Sequence, residues 1–198
     1  MGLGFKDFGS EILTSNDVDG YLMRQTIMVF ASTAARDSAL TGVLEEGMHA
    51  HNTDDDELWF YNGSTWKPVY TQWAPYTPAW TNLTLGAGTQ VARYRYLNGD
   101  LRVRGQVTFA VDTVIGGNVA QTIPNSETAD TSWQGGTGVA NDVSAPRIFP
   151  LVAGVNPSAT SWVWVTAENA NGGIVDSATP MTWATGDVLT WDITIGVA

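Results

Sequence analysis

The 198-residue chain has no cysteine, which removes disulfides, thiolate zinc sites and cysteine nucleophiles together. A secreted domain of this size often carries disulfides, so their absence favours assembly in a reducing cytoplasm. Histidine is nearly absent too, with only His49 and His51 present. A serine–histidine centre would depend on one of these two, and no Gly-x-Ser-x-Gly elbow accompanies them. Charged residues make up 15% of the chain, well below the usual quarter. The polar surface therefore falls to Thr, Ser, Asn and Gly, a balance common in all-β proteins with many turns. No run of eighteen apolar residues occurs, so no helix is expected to span a membrane. The opening "MGLGFKDFGSEIL" lacks a basic segment followed by an apolar one, so no signal peptide is expected. Lys6 stands where a myristoylation motif wants Ser or Thr.

The charge that is present is mostly negative. A net charge of −11 and a pI near 4.3 argue against nucleic-acid and anionic-membrane partners. Eleven acids and four basic residues lie in residues 1 to about 70, for −7; nine acids and five arginines lie from about 74 onward, for −4. Between them, "TQWAPYTPAW" holds two prolines and three aromatics, too hydrophobic for a free linker. These shifts divide the chain into an N-terminal module of residues 1–70, a Pro/aromatic strap of 71–80 and a C-terminal domain of 81–198. The strap is expected to pack on one domain or on a neighbouring subunit.

In the first part, Asp17 to Arg24 reads as a short helix capped at Thr14, Ser15 or Asn16, and "QTIMVF" as a short strand. "STAARDSALTG" reads as a helix capped by Ser32 or Thr33 and stopped at Gly42. "GMHAHN" and "ELWFYN" form two strands around "TDDD", and "GSTWKPVY" continues from the Asn62-Gly63 turn. In the second part, "QVARYRYLNGDLRVRGQVTFAV" is a hairpin turning at Asn98-Gly99-Asp100. Its core face is Leu101, Val103, Gly105, Val107 and Phe109. Arg93, Arg95, Arg102 and Arg104 look to solvent or to another subunit. Further strands fit "NVAQTIP", "RIFPLVAGV", "SWVWVTAE", "GGIVDS" and "DVLTWDITIGV". The fold class is mainly β: a small N-terminal α+β hairpin module followed by an antiparallel β-sandwich, jelly-roll-like.

His49 and His51 share a face if they lie on a strand, and a carboxylate from Asp54 to Asp56 could stand beside them. No further histidine completes such a site, and the acidic run lacks the order of an EF-hand. A half-exposed strand with a solvated acidic turn is the simpler reading, though cation binding at Asp54–Asp56 stays open. "WQGGTG" (Trp133–Gly138) lacks the Lys-Ser/Thr of a phosphate loop and reads as a flexible loop. No pair of carboxylates is singled out for hydrolysis by its spacing. Nine tryptophans are many for this length. On "SWVWVTAE" either the Trp162/Trp164 pair or the Val163/Val165 pair faces outward or into an interface. Tryptophans stack on sugars as well as fill cores, so Trp133, Trp162 and Trp164 are the candidate glycan contacts.

With these residues in view, the chain resembles virion proteins of tailed bacteriophages of actinobacteria. The resemblance rests on Leu13-Thr14, Tyr21-Leu22-Met23, Gln25, Ala34 to Asp37, Glu46-Gly47-Met48, Tyr61, Gly63-Ser64, Trp66 and Pro68-Val69. It continues in "YTPAWTNLTLGAGTQVARYRYLNGDLRVRGQVTFAVDT" and "ATPMTWATGDVLTWDITIG", which are similar to the β domains of minor tail and fibre proteins. The resemblance implies a non-enzymatic virion component, often trimeric, assembled in the bacterial host cytoplasm. Its N-terminal module would dock on other virion proteins, and its β domain would face outward toward host surface glycan. Capsid decoration or a head fibre with the same architecture, and a lectin-like module, are the alternatives. No catalytic residue, cofactor or metal is assigned, and no nucleic-acid or membrane partner is expected. The expected oligomer-interface residues are Arg93, Arg95, Arg102, Arg104, Trp73, Tyr76 and Trp80.

Overall fold

The computed structural model describes residues 14, 26–130, 135–166 and 173–197. The helix expected over Asp17–Arg24 and the candidate Trp133 lie outside them. The chain divides into two compact units between Gln72 and Trp73. The architecture is mainly β, with mostly antiparallel strand pairing and one short helix near the N-terminus.

In the first unit, β1 (Ile27–Phe30) leads through helix α1 (Thr33–Ala39) to β2 (His49–Asn52), which pairs with β1 in parallel. β3 (Glu57–Tyr61) and β4 (Trp66–Tyr70) add antiparallel strands. The helix starts where expected: the Ser32 hydroxyl accepts the Ala35 N–H at 3.1 Å, satisfying one of the first-turn donors that have no partner within the helix. Gly42, at φ +79°, follows the helix in a conformation that side chains resist. The β3–β4 turn is closed by the Asn62 side chain, which accepts the N–H groups of Ser64 (3.1 Å) and Thr65 (2.8 Å).

The second unit runs β5 (Ala74–Tyr76), β6 (Trp80–Thr84), β7 (Thr89–Leu97), β8 (Asp100–Thr108), β9 (Val114–Thr122), β10 (Gly136–Asp142), β11 (Arg147–Gly154), β12 (Ser161–Thr166), β13 (Gly173–Ile174) and β14 (Val188–Gly196). Hydrogen bonding orders these strands β5–β7–β8–β14–β10–β11–β12–β9–β6, with β13 on β12, and every pairing is antiparallel. The two ends of this path approach one another. The Trp80 indole N–H on β6 donates to the Gln90 side chain on β7 at 2.7 Å, and the Tyr76 hydroxyl on β5 donates to the Thr122 carbonyl on β9. The sheet thus folds over on itself, as in a β-sandwich, and encloses one apolar core.

The core is built as the hairpin alternation demands. Leu101, Val103 and Val107 are fully buried and Phe109 nearly so. Its largest members form a chain of indoles. Trp162 packs edge-on to Trp164 (6.3 Å between ring centres), Trp164 tilts against Trp191 (6.1 Å), and Trp191 meets Trp80 edge-on (5.6 Å).

Two expectations are corrected here. Trp162 and Trp164 are 1% and 0% exposed, so they are core residues and cannot stack on a sugar. The partly covered pair on β12 is Val163 and Val165. The glycine-rich segment is also not a flexible loop at its C-terminal end, since Gly136–Gly138 open β10, paired on both sides with β11 and β14. A Cβ on Gly136 would lie 2.0 Å from Ile193 Cγ2, and one on Gly138 would lie 2.8 Å from the Trp164 ring. The glycines are needed for close approach to large side chains. The strap is strand too: Ala74–Tyr76 lies along β7, with Pro75 opposite Arg93, and Trp80 opens β6.

Candidate binding surfaces

The hairpin register places arginine opposite arginine: Arg93 faces Arg104 and Arg95 faces Arg102 across β7 and β8. Like charges directly opposite on a sheet are destabilising unless something relieves them. Two features do so. Asp192 on β14 receives a two-pronged contact from Arg102, Nε at 2.9 Å and Nη2 at 2.8 Å, and a third bond from Arg104 Nε at 2.8 Å. The Trp73 indole then gathers the guanidinium groups of Arg93, Arg95 and Arg104, which sit 4.9, 4.8 and 5.2 Å from its ring centre. A groove of about 380 Å³ runs beside them over Val91, Arg93, Arg104 and Gln106, and Val91 is 75% exposed.

Of the residues expected at an interface, the structure therefore brings together Trp73, Arg93, Arg95, Arg102 and Arg104. It places Tyr76 and Trp80 elsewhere, with Tyr76 turned to Thr122 and Trp80 to Gln90 and Trp191. Asp192 escaped the sequence reading. Its signal was its place in "LTWDITI", where Leu189, Trp191 and Ile193 take the core face and leave Asp192 outward.

The Asp192 carboxyl is held below the ordinary aspartate value, chiefly by the Arg102 hydrogen bonds, against the opposing effect of partial burial. The Arg102 guanidinium is correspondingly pushed up by its bonds to Asp192. A carboxyl with a depressed folded-state pKa contributes stability that is complete above its unfolded value. That contribution is lost as pH falls through the folded one. The window opens at the ordinary value near 3.8 and extends downward. Glu57 on β3 behaves oppositely. Burial first, then the neighbouring Asp55 charge, push its carboxyl above the ordinary 4.5, so its ionised form costs the folded state and acidification relieves that cost. Amide exchange followed across pH is expected to show β8 and β14 loosening as pH falls below the ordinary aspartate value of 3.8, while β3 tightens as pH falls toward the ordinary glutamate value of 4.5. Asp192→Asn should flatten the first response and Glu57→Gln the second; profiles unchanged by either substitution would contradict these assignments.

The two histidines do not converge with carboxylates into a metal site. His51 Nε2 meets Asp56 Oδ1 at 2.9 Å, while His49 Nδ1 meets the Gly47 carbonyl at 2.9 Å. Among the described residues no three His, Asp or Glu side chains come together as a metal would require. The acidic turn is a fastening as well as a charge: the Asp55 carboxylate accepts the Glu57 N–H at 3.2 Å, and Asp56 accepts from the Gln72 amide at 3.2 Å. Asp54 is exposed.

The first unit holds one further polar centre that sequence reasoning missed. Arg36 of α1 is 4% exposed, its guanidinium 4.5 Å from the Trp66 ring centre and 5.5 Å from that of Trp59. Asp37 Oδ1 accepts from Nε (2.9 Å) and pairs with Nη2 (2.8 Å). The signal was helical spacing, since Arg36 stands one turn before the buried Leu40. The Tyr61 and Trp66 rings lie 5.5 Å apart, so the aromatic side chains of β3 and β4 gather beside an arginine.

Compared with known protein families, with curated proteins and with solved structures, the chain matches none.

Proposed function

We propose that this chain is a non-enzymatic structural protein of a tailed-bacteriophage virion, a minor tail or fibre component. Its first unit would dock on the particle and its β unit would face outward. The sequence resemblance gives the class. The structural observation that supports it is where the acids of the β unit are spent. Asp187 is fully buried, and its two carboxylate oxygens accept the Val143 N–H at 3.0 Å and the Ala184 N–H at 2.7 Å. Asp142 accepts from Ser144 Oγ and the Ala145 N–H, each at 2.8 Å, and Asp176 from the N–H groups of Ala178 and Thr179, each at 2.8 Å. Asp192 ties β14 to β8. These carboxylates fasten turns and strands, which is the use a load-carrying part makes of them.

In this reading the protein assembles as three copies, with the arginine face of the β7–β8 hairpin at the contact. Immunogold electron microscopy of purified virions with antibody to the β unit is expected to label the tail. Label on the capsid would move the protein to decoration or to a head fibre, and particles without the protein would sink the virion reading. Sedimentation equilibrium is expected to give three times the 21.2 kDa chain mass, and a monomer at micromolar concentration would remove the assembly.

A further inference from the structure

Two strands of the β unit break the alternation that β8 keeps. β11 contains Ile148-Phe149-Pro150-Leu151-Val152-Ala153-Gly154 and β12 contains Trp162-Val163-Trp164-Val165, with no polar residue in either stretch. In β8, by contrast, Leu101 and Val103 alternate with Arg102 and Arg104. A continuous apolar run is the pattern of a strand covered on both faces, whereas alternation marks one covered face and one wet one. The chain itself covers only the inward face of β11. Phe149, Leu151 and Ala153 are buried, while Ile148 is 68% and Val152 49% exposed.

The register gathers the outward side chains into one surface. Val139 on β10 lies opposite Pro150, Thr137 opposite Val152, and Val152 in turn opposite Val165, and directly paired residues point to the same side. None of the outward positions of β10, β11 and β12 is charged, in a chain of net charge −11. Residues 73–198 also contain no lysine, the residue natural proteins favour for keeping exposed strands from associating. Copies of so acidic a chain repel one another, so a contact between them is best made where charge is missing. Val188 and Thr190 on β14 and Ala120 on β9 extend the face on either side, and Asp192, held by Arg102 and Arg104, marks its border. Five strands about 4.8 Å apart, with three outward positions each, outline roughly 24 by 20 Å, or about 500 Å². Accessible area exceeds outline, so the face approaches the roughly 800 Å² that a specific contact takes from each partner.

We infer that the outward face of β10–β12 is an apolar contact between copies of this chain. The inference rests on the assembly proposed above: three copies turn this face toward their common axis, and each meets the same face of the next. Val139, Pro150, Val152 and Val165 form the centre of the contact, with Thr137 and Asn141 at its polar rim. Association then supplies the second cover that the apolar runs of β11 and β12 lack within one chain.

The test is sedimentation equilibrium of the full chain at micromolar concentration. Ile148→Glu and Val152→Glu, both at exposed positions, each place an unpaired charge in the contact and are expected to weaken association about tenfold or more, with unchanged circular dichroism. Val152→Thr keeps the branched shape suited to a strand and adds only a hydroxyl, so a severalfold loss is expected from a variant that still folds. Val111→Glu, at an 88% exposed position between β8 and β9, adds the same charge away from the face and should leave association unchanged. A trimer indifferent to the Ile148 and Val152 substitutions would overturn this contact while leaving the assembly in place. An equal loss in Val111→Glu would assign the effect to added charge alone and overturn it too. A dimer abolished by Ile148→Glu would support the self-contact and overturn the three-copy reading. A monomeric wild type would overturn both. If that monomer still bound virions assembled without it, and Ile148→Glu did not, the face would belong to another virion protein.

Discussion

Replacing Trp164 by alanine is expected to cost the β unit about 3–5 kcal/mol, the usual toll for deleting a fully buried indole. Trp164 is 0% exposed and stands between Trp162 and Trp191, and its ring lies over Gly138, where even a Cβ would intrude. No side chain on β10 can move in to fill the gap, because the position facing it is glycine. The cavity therefore stays open. In a thermal melt the midpoint should fall on the order of 10 °C or more. Phenylalanine at the same position separates two causes. The Trp164 Nε1–H is buried and makes no hydrogen bond among the described residues, so the wild type already carries an unpaired donor there. Removing that donor offsets part of the lost volume, and Trp164→Phe should cost less than half as much as Trp164→Ala. Equal losses from the two variants would mean that the indole N–H is bound, for instance by a buried water, and that the account of this core is wrong.

The same tryptophans show where local sequence stops being informative. Strict alternation in "SWVWVTAE" gives a strand with two distinct faces, and that much was legible. Which face turns inward is decided by what lies opposite. On β10 and β8, Gly138 and Gly105 leave room for Trp164 and Trp191. Those glycines are far away in sequence, and Gly136–Gly138 read as a loop because a glycine run has no side-chain periodicity of its own. Its reason for being strand is the bulk of Ile193 and Trp164, which only the folded sheet brings near. The hairpin β7–β8 was the opposite case. Its alternation, its Asn-Gly turn and its partner strand all lie within some twenty residues, so both its register and its buried face could be read directly.

The candidate surface divides along the same line. Four arginines at alternate positions of adjacent strands announce a basic face. What holds them there, Asp192 on β14 and Trp73 before β5, comes from both ends of the unit and from pairings no local window contains. The strap was only partly legible for a related reason. Two prolines and three aromatics marked it as an extended, packed segment but not as strand, and Pro75 is tolerated there because β5 pairs with β7 on one side only, where a missing N–H breaks no second ladder. Trp80 then turns inward, where Gln90 accepts its indole N–H.

Asp187 carries the second large effect. It precedes β14 and is 0% exposed, and its carboxylate accepts one backbone N–H from the β10–β11 turn (Val143) and one from the segment before β14 (Ala184). Its carbonyl also accepts the Phe109 N–H at 2.9 Å, which seats the aromatic ring that stacks on Trp183 at 4.4 Å. Asp187→Ala leaves both turn donors without their acceptor in a buried place. Each such donor costs roughly 1–3 kcal/mol, so the pair should cost about 2–5 kcal/mol. The isosteric Asp187→Asn is the sharper probe. Its amide oxygen can keep one of the two N–H groups, but the NH₂ then faces the other donor with a donor of its own. Asparagine should therefore recover less than half of the alanine loss, and the damage should be directional. Amide exchange at Val143 and Ala184 should rise well before exchange along the centre of β14. If asparagine instead proved neutral, the carboxylate would be exchangeable for an amide, and the two-donor clamp that joins these turns would have to be abandoned.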